Sequence, residues 1–338
     1  MDLSRRSRCR FVVGLLLLIA SCAGQAHCAA QQPGPAGAQS AETKSARLAR
    51  TAAAYIKQGK PLPAILALKS ACGLAPTNLA LHRELAAAYG LVGYLDLEIA
   101  ELETVRLLKP DDADSCLRLS SIYLQLGWYK IARDRLMQGR GAAPDDPRVY
   151  IILATQAYMR FLYGPMEQAA LAGVARWPRN AQLLVLFSEA ERLLGRLAQA
   201  ESALRRAIAC TESSARKEAA YVGLARLFVE PGWNRNRAGE AAQAARKALS
   251  LSPYDVDARY WLGRALELSG DASAAEREYA YVAKRNPDLE AVTLRLARLY
   301  LRGRSKKMKA AGAELAARYN TISKTDEQFE MAHDAVRD

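Results

Sequence analysis

The sequence predicts an all-α chain in which about eight helical hairpins stack one on the next. Prolines recur at intervals of 34 residues, at Pro76, Pro110, Pro144 and Pro178. Within each interval, apolar residues follow the i, i+3, i+4, i+7 spacing of two amphipathic helices. Because 51% of its residues are hydrophobic, the chain is able to bury a sizeable core. These observations exclude a disordered chain and favour a helical repeat protein.

The first 21 residues have the order of a secretory signal peptide. Four arginines precede the apolar run Phe11 to Ala20, and small residues follow that run. Ten apolar residues would span only about 15 Å as a helix, half of a bilayer core, so we expect no permanent transmembrane anchor. The sequence therefore predicts export, to the periplasm, to a lipid anchor in the outer membrane, or out of the cell.

Two cleavage sites compete after this leader. The segment IASC at 19–22 resembles a bacterial lipobox, which would make Cys22 the lipidated first residue of the mature chain. The segment CAA at 28–30 would instead release a soluble periplasmic or secreted protein. Residues 22–44 lack apolar periodicity and contain the run QQPGPAGAQS, so we expect a flexible linker there.

Other positions of the 34-residue period recur together with the prolines. When the proline is numbered 32, glycine at position 15 suits the turn between two helices, because it adopts a left-handed backbone at little cost. Small residues at position 20 let the helices of a hairpin approach closely, and a large ring at position 11 fills the space between them. Position 15 holds Gly59, Gly93, Gly127, Gly195 and Gly270; position 20 holds Ala64, Ala132, Ala200, Ala241 and Ala275; position 11 holds Tyr55, Tyr89, Tyr123, Phe228, Leu266 and Tyr300.

The ends of the helices also have sequence signals. Each proline is expected to end a second helix, because it lacks the amide hydrogen and clashes with the preceding turn. The acidic pairs 111–112 and 145–146 follow two of the prolines and are expected to cap the next helix. Seven extra residues interrupt the period between Pro178 and Pro253, and Trp233 lies in the inserted segment, where it either contacts a partner or packs locally.

This pattern resembles the tetratricopeptide repeat. The resemblance covers residues 45–323 and implies a right-handed α-solenoid, a superhelix whose first helices line an inner groove. The repeats would span 45–78, 79–112, 113–146, 147–180, 181–217, 218–255, 256–289 and 290–323. Residues 324–338 would form a short C-terminal capping helix or tail.

Side chains suited to catalysis or metal binding are scarce. Of the three histidines, His27 lies near the leader, His82 occupies a packing position, and His333 has no partner at the spacing of metal ligands. No phosphate-binding loop, dinucleotide-binding motif or haem-attachment sequence is present. Cys72 and Cys116 fall in helices of repeats that are not adjacent, so we expect buried free thiols. The sequence predicts no enzyme activity, no cofactor and no metal ion.

The resemblance also implies which residues face the groove. In the family, positions 2, 5, 9, 12 and 13 of the first helix tend to do so, which gives an apolar middle and a basic C-terminal end. The Lys and Asn set that chaperone-binding members use to clamp a terminal carboxylate is absent at these positions. Carried onto this chain, the candidate partner-binding residues are Leu117, Leu124, Ile151, Tyr158, Val185, Arg226, Tyr260, Arg264, Arg298 and Arg302, with Glu189, Arg192 and Val222 in the same register.

Three functions remain open at this point. The favoured one is a non-catalytic scaffold of the bacterial cell envelope that binds proteins or peptides in the groove. The alternative is a module for glycans or anionic lipids, because the +13 net charge is concentrated in the C-terminal half and includes a cluster at 302–309. An enzyme has no supporting motif, and nucleic acid is a poor partner for an exported chain without base-stacking aromatics.

Overall fold

The structure of the chain is a computed structural model that describes residues 35–233, 236–286, 289–302 and 306–334, with only the backbone for 35–39 and 322–334. The predicted signal peptide, Cys22 and residues 22–34 of the predicted linker lie outside these ranges, as do Pro287 and Arg304. The described residues form sixteen α-helices and no strand, which confirms the predicted all-α fold class.

The helices follow one another with short connections. Their bounds are α1 Pro35–Lys57, α2 Pro61–Leu74, α3 Leu79–Leu91, α4 Leu95–Leu108, α5 Ala113–Gln125, α6 Tyr129–Ala142, α7 Pro147–Met159, α8 Tyr163–Arg176, α9 Ala181–Leu193, α10 Leu197–Cys210, α11 Ser214–Phe228, α12 Ala238–Leu251, α13 Val256–Leu268, α14 Ala272–Arg285, α15 Glu290–Arg302 and α16 Lys306–Asp334. Consecutive helices pack as hairpins, so each repeat of the sequence is one hairpin.

Six first helices begin where the repeats were expected to start, at 79, 113, 147, 181, 256 and 290. The other two start earlier, α1 at Pro35 instead of 45 and α11 at Ser214 instead of 218. Residues 35–44, predicted to be linker, are therefore the first ten residues of α1. At the other end, 324–334 continue helix α16 without a break, where a separate capping helix or tail was expected.

The described residues divide into two compact parts, an N-terminal part that ends at residue 152 and a C-terminal part that begins at residue 153, each with its own core. In the N-terminal part, one apolar cluster joins α1, α2 and α3 through buried Ala52, Leu68 and Leu85. In the C-terminal part, one cluster centres on Met166 of α8, and another centres on Tyr279 of α14.

Small residues allow close packing of helices within each part. A Cβ at Gly139 of α6 would lie 2.8 Å from the Leu117 side chain of α5, and one at Gly263 of α13 would lie 2.6 Å from the Tyr279 ring of α14. Such distances are far below van der Waals contact, so these glycines leave the space that Leu117 and Tyr279 fill. The five alanines at position 20 are buried as well, with at most 1% of their surface exposed.

The predicted helix ends are present. Asp112 accepts a hydrogen bond from the Ser115 amide (3.1 Å) at the start of α5, and Asp146 accepts one from the Arg148 amide (2.8 Å) at the start of α7. These contacts satisfy amide groups that have no partner inside the helix. The five position-15 glycines all have positive φ, between 69° and 86°, as the turn between the helices of a hairpin requires.

Candidate functional site

A cavity of about 310 Å³ opens between first helices of the C-terminal part. Helices α9, α11 and α13 pack on one another in sequence order, and each contributes one face to the cavity, with the start of α15 beside them. We call it the charged cavity. Among its lining residues, six were in the predicted groove register, namely Val185, Glu189, Arg192, Val222, Arg226 and Tyr260.

Glu189 is the centre of the charge network in this cavity. Its carboxylate accepts hydrogen bonds from Arg192 of the same helix (2.8 and 3.0 Å) and a further one from Arg226 of α11. Arg192 also pairs with Glu230, which follows the end of α11. Two guanidinium groups and two carboxylates are thus linked into one network, and side chains at the centre of such networks hold fixed positions.

Arg226 is a partly desolvated cation of the cavity. Its side chain is 29% exposed, and burial lowers the pKa of its guanidinium from the usual value, opposed by nearby Tyr158, Glu230 and Asp257. The Tyr158 hydroxyl lies near the Arg226 guanidinium, whose carbon lies 6.0 Å from the centre of the Trp261 ring. A cation that has lost part of its water interacts more strongly with an anionic or aromatic ligand than a fully hydrated one does.

The α13 wall combines aromatic and charged groups. The rings of Tyr260 and Trp261 meet edge to face, with 4.9 Å between centres, and burial raises the pKa of the Tyr260 hydroxyl. Partial desolvation, together with the neighbouring Asp255 carboxylate, raises the pKa of Asp257, while Arg226 opposes that rise. One turn further along α13, the Nε of Arg264 is buried and has no hydrogen-bond partner among the residues that the structure describes. This wall offers a ligand an apolar surface beside groups that bind charge.

Two predicted groove residues are not available to a partner. Leu117 and Leu124 of α5 are only 1% and 2% exposed, so their assignment to a partner-binding groove was wrong. Leu117 is buried because Gly139 has no side chain, which leaves space for Leu117 in the core of its own hairpin. Of the remaining aliphatic and aromatic candidates, Ile151 is half-buried and Tyr158 is 41% exposed.

The predicted basic end is exposed, and it lies apart from the charged cavity. Arg298 and Arg302 lie on α15 with exposed side chains, and neither forms an ion pair within the described residues. The structure thus places Val185, Arg226 and Tyr260 in one cavity, but it places Arg298 and Arg302 outside its lining.

Trp233 packs locally. Its indole Nε1 donates a hydrogen bond to the Leu227 carbonyl (2.8 Å), and its ring meets Phe228 edge to face. The guanidinium carbon of Arg237 lies 3.8 Å from the Phe228 ring centre and 4.4 Å from that of Trp233. Since Arg237 also pairs with Glu201 (2.6 Å), these contacts hold the inserted segment against α10 and α11. The sequence left two roles open for Trp233, partner contact and local packing, and these contacts correspond to local packing.

Residues suited to other chemistry have structural contacts. Both ring nitrogens of His82 have partners, the Glu101 carboxylate (2.6 Å) and the Pro76 carbonyl (2.9 Å). Cys72 and Cys116 are buried free thiols as predicted, and burial raises the pKa of Cys72 to about 11. Within the described ranges, no three His, Cys, Asp or Glu side chains cluster as metal ligands would. Among the helices described, none combines the length and apolar character that crossing a membrane requires.

Some residues of this region have no place in the sequence prediction. Asp257 and Trp261 lie on the same face of α13 as Arg264, at i, i+4 and i+7. This helical spacing was the signal in the sequence that could have assigned them to the same surface. Glu230 follows α11 in the inserted segment, where the 34-residue period is interrupted, so no position of the repeat predicts its role. Phe161 occupies position 15, where five other repeats have glycine, and this departure from the column was visible in the sequence.

The sequence matches no protein-family model and no curated protein. Solved structures are similar in fold. A tetratricopeptide repeat protein from Parabacteroides merdae ATCC 43184 has 18% identity and a TM-score of 0.57, over 66% of this chain and 84% of that one. A chain of the APC/C hetero-tetramer Cut9-Hcn1 has 14% identity and a TM-score of 0.63, over 82% of this chain and 53% of that one. PilF of Pseudomonas aeruginosa has 18% identity and a TM-score of 0.54, over 66% and 100%. The described part of the chain therefore has the fold of a tetratricopeptide-repeat protein.

Proposed function

We propose that this chain is a non-catalytic adaptor of the bacterial cell envelope that binds a partner protein or peptide in the charged cavity. The observation that carries the proposal is the cavity itself, about 310 Å³ in volume and lined by first helices of successive repeats. One of the structures similar in fold, Cut9-Hcn1, is a hetero-tetramer of two different proteins, which supports a scaffold function.

The lining favours a ligand with an apolar anchor and an acidic group. Val185 and Val222 supply aliphatic surface, and Tyr260 and Trp261 supply aromatic surface. A carboxylate of the ligand would compete with Glu189 for Arg226, the half-buried cation that already binds one carboxylate. The network therefore sets a threshold for binding, because only a carboxylate held in place by apolar contacts replaces an internal one.

Envelope location is part of the same proposal and rests on the sequence of residues 1–22. If Cys22 is lipidated, radioactive palmitate will label the chain in cells, and Cys22→Ser will abolish the label while leaving expression intact. If the leader is cleaved at 28–30 instead, the wild-type chain will remain unlabelled and will appear in the soluble periplasmic or secreted fraction.

Filling the cavity tests the adaptor function. Val222→Arg puts a long charged side chain into the cavity, and we expect partner capture from envelope extracts to fall at least about tenfold with unchanged helicity. Lys247→Arg, at an exposed position of α12, is the matched control and should capture as wild type does. Because Val222→Arg could also disturb packing, Tyr260→Ala serves as a second variant that removes aromatic surface instead. Full capture by both folded cavity variants would contradict the proposal.

Binding of glycans or anionic lipids is the second candidate, and it is favoured by exposed Arg298 and Arg302, which lack acidic partners within the described residues. The two functions differ in salt dependence. Binding through phosphate or sulfate charge should collapse as ionic strength rises, whereas binding by apolar contacts in the charged cavity should persist.

A further inference from the structure

The turn between α7 and α8 contains an unusual residue. Phe161 has a φ of 58°, and it is the non-glycine residue with positive φ in the described part of the chain. The corresponding position of five other repeats is Gly59, Gly93, Gly127, Gly195 or Gly270. A side chain in this left-handed conformation crowds the carbonyl oxygen that follows it, so phenylalanine costs folding free energy here that glycine does not.

The hydrogen bonds of the turn hold Phe161 in this conformation. The Phe161 amide donates to the Tyr158 carbonyl (2.9 Å), and the Leu162 amide donates to the Ala157 carbonyl (2.9 Å). The Gly195 turn has the same pair of bonds, at 3.0 and 2.8 Å. The repeat therefore keeps the standard helix ending although the residue does not suit it.

Phe161 gains no compensating burial, because 77% of its surface is exposed. The next residue, Leu162, is also 41% exposed. The strained backbone lowers the stability of the free chain, and the exposed ring adds little burial to offset that cost. A function that needs the ring outside the molecule explains why phenylalanine is present at this position.

A second cavity, of about 410 Å³, lies beside this turn. Arg160 and Leu162, the neighbours of Phe161, line it together with Pro165 of α8. The side-chain amides of Gln156 and Gln168 also line it and form no hydrogen bond within the described residues. The turn surface, defined as Gln156, Arg160, Phe161, Leu162, Pro165 and Gln168, shares no lining residue with the charged cavity.

The charge of the turn surface identifies its occupant. Arg160 is exposed and forms no ion pair within the described residues, so it is available to a carboxylate. The two amides suit the polar backbone of an extended segment, since each amide both donates and accepts. A bilayer fits less well, because hydrocarbon would leave both amides unpaired and would not fill a concave cavity beside the ring.

We propose that the turn surface is a second docking site, separate from the charged cavity, for a peptide segment of a partner protein. This segment places a bulky apolar side chain between Phe161 and the cavity wall, and an adjacent Asp or Glu pairs with Arg160.

The test uses random short peptides displayed on phage and selected on the purified chain, with the Phe161→Gly chain for counter-selection. Enriched peptides should pair an aromatic or aliphatic residue with a neighbouring Asp or Glu. Synthetic copies should bind the wild type at least about tenfold more tightly than Phe161→Gly and Arg160→Gln. Leu268→Ala, an exposed leucine at the end of α13, is the control and should bind as wild type does.

Stability separates docking from a structural role. Phe161→Gly should fold and melt at the wild-type temperature or about 2 °C above it, because it relieves the left-handed strain. A fall of several degrees would show that the ring is needed for packing and would overturn the proposal. Failure to enrich peptides that discriminate the variants would also overturn it. Vesicles of phosphatidylglycerol and phosphatidylcholine should bind wild type and Phe161→Gly equally, and a loss confined to Phe161→Gly would assign the surface to membrane instead.

Discussion

Glu189 of α9 and Arg226 of α11 form an ion pair that joins the first helices of two successive repeats inside the charged cavity. Both side chains are largely shielded from water, with 12% and 29% of their surfaces exposed. Desolvation of both charges opposes their attraction in this setting, but the loss of Glu189 would leave Arg226 as a partly buried charge without its carboxylate. The pair therefore connects the stability of the repeats to the state of the cavity.

A double-mutant cycle should detect this coupling. Glu189→Gln removes the carboxylate that pairs with Arg226, while Arg192 keeps its pair with Glu230, and it should lower the free energy of unfolding by about 1–2 kcal/mol. Adding Arg226→Met should cost less than the sum of the single changes, by about 1 kcal/mol, in urea unfolding. Additive effects would show that the two side chains do not interact in solution.

The acid stability of the N-terminal part should depend on Asp112. Burial would raise the pKa of this carboxyl, but hydrogen bonds from Ser115 and Arg83 outweigh burial and lower the pKa. A lowered pKa adds stability above the unfolded value of about 3.9, and this stability is lost as pH falls through the folded value. Asp112→Asn should therefore be less stable than wild type at pH 7 by about 1 kcal/mol, with a difference that shrinks towards pH 2. A constant difference across that range, measured by urea unfolding, would contradict the assigned ion pair.

The close approach of α13 and α14 makes Gly263 intolerant of substitution. A methyl group at Gly263 would overlap the Tyr279 ring, so Gly263→Ala should lower the free energy of unfolding by about 1–3 kcal/mol. Gly73 of α2 is the matched control, because a Cβ there meets nothing within 4 Å. Gly73→Ala should raise stability by about 0.5–1 kcal/mol, since alanine loses less backbone freedom in a helix. Equal effects of the two changes in thermal melts would contradict the hairpin packing.

Charge reversal on α13 and α15 tests the basic end of the predicted groove. The double variant Arg264→Glu and Arg298→Glu should weaken capture of an acidic partner while the far-ultraviolet circular dichroism spectrum stays unchanged. Neither Arg264 nor Arg298 forms an ion pair within the described residues, so neither change breaks one. Undiminished capture by the folded double variant would exclude a basic binding site there.

The fold was predictable because residues with known structural effects recur at a regular spacing. A proline every 34 residues and glycine or alanine at fixed positions between them locate six of the first helices to the residue. The early start of α1 was not predictable in the same way, since residues 35–44 carry few apolar residues to set a helical period. Their helix continues from the strongly patterned segment that follows, which removes the cost of nucleation.

The site was only partly predictable, because a register names a helix face without saying what packs on it. Leu117 occupies a groove position in its helix, yet it packs into the core against Gly139 of the next helix. Glu189 and Arg226 were both in the groove register, but their pairing depends on how α9 and α11 pack. Glu230 joins the same network from a segment outside the repeat register.

The most direct test of the adaptor function is site-specific photocrosslinking in cells. A benzophenone amino acid at Tyr260, in the charged cavity, is compared with the same group at Tyr254, which is 75% exposed and outside that lining. We expect a discrete crosslinked protein from position 260 but not from position 254, and we expect that crosslink to disappear when Val222→Arg is added. The crosslinked partner, once purified, should bind the wild-type chain but not the Val222→Arg chain. Identical crosslinks from both positions, or one that survives Val222→Arg, would contradict docking in this cavity.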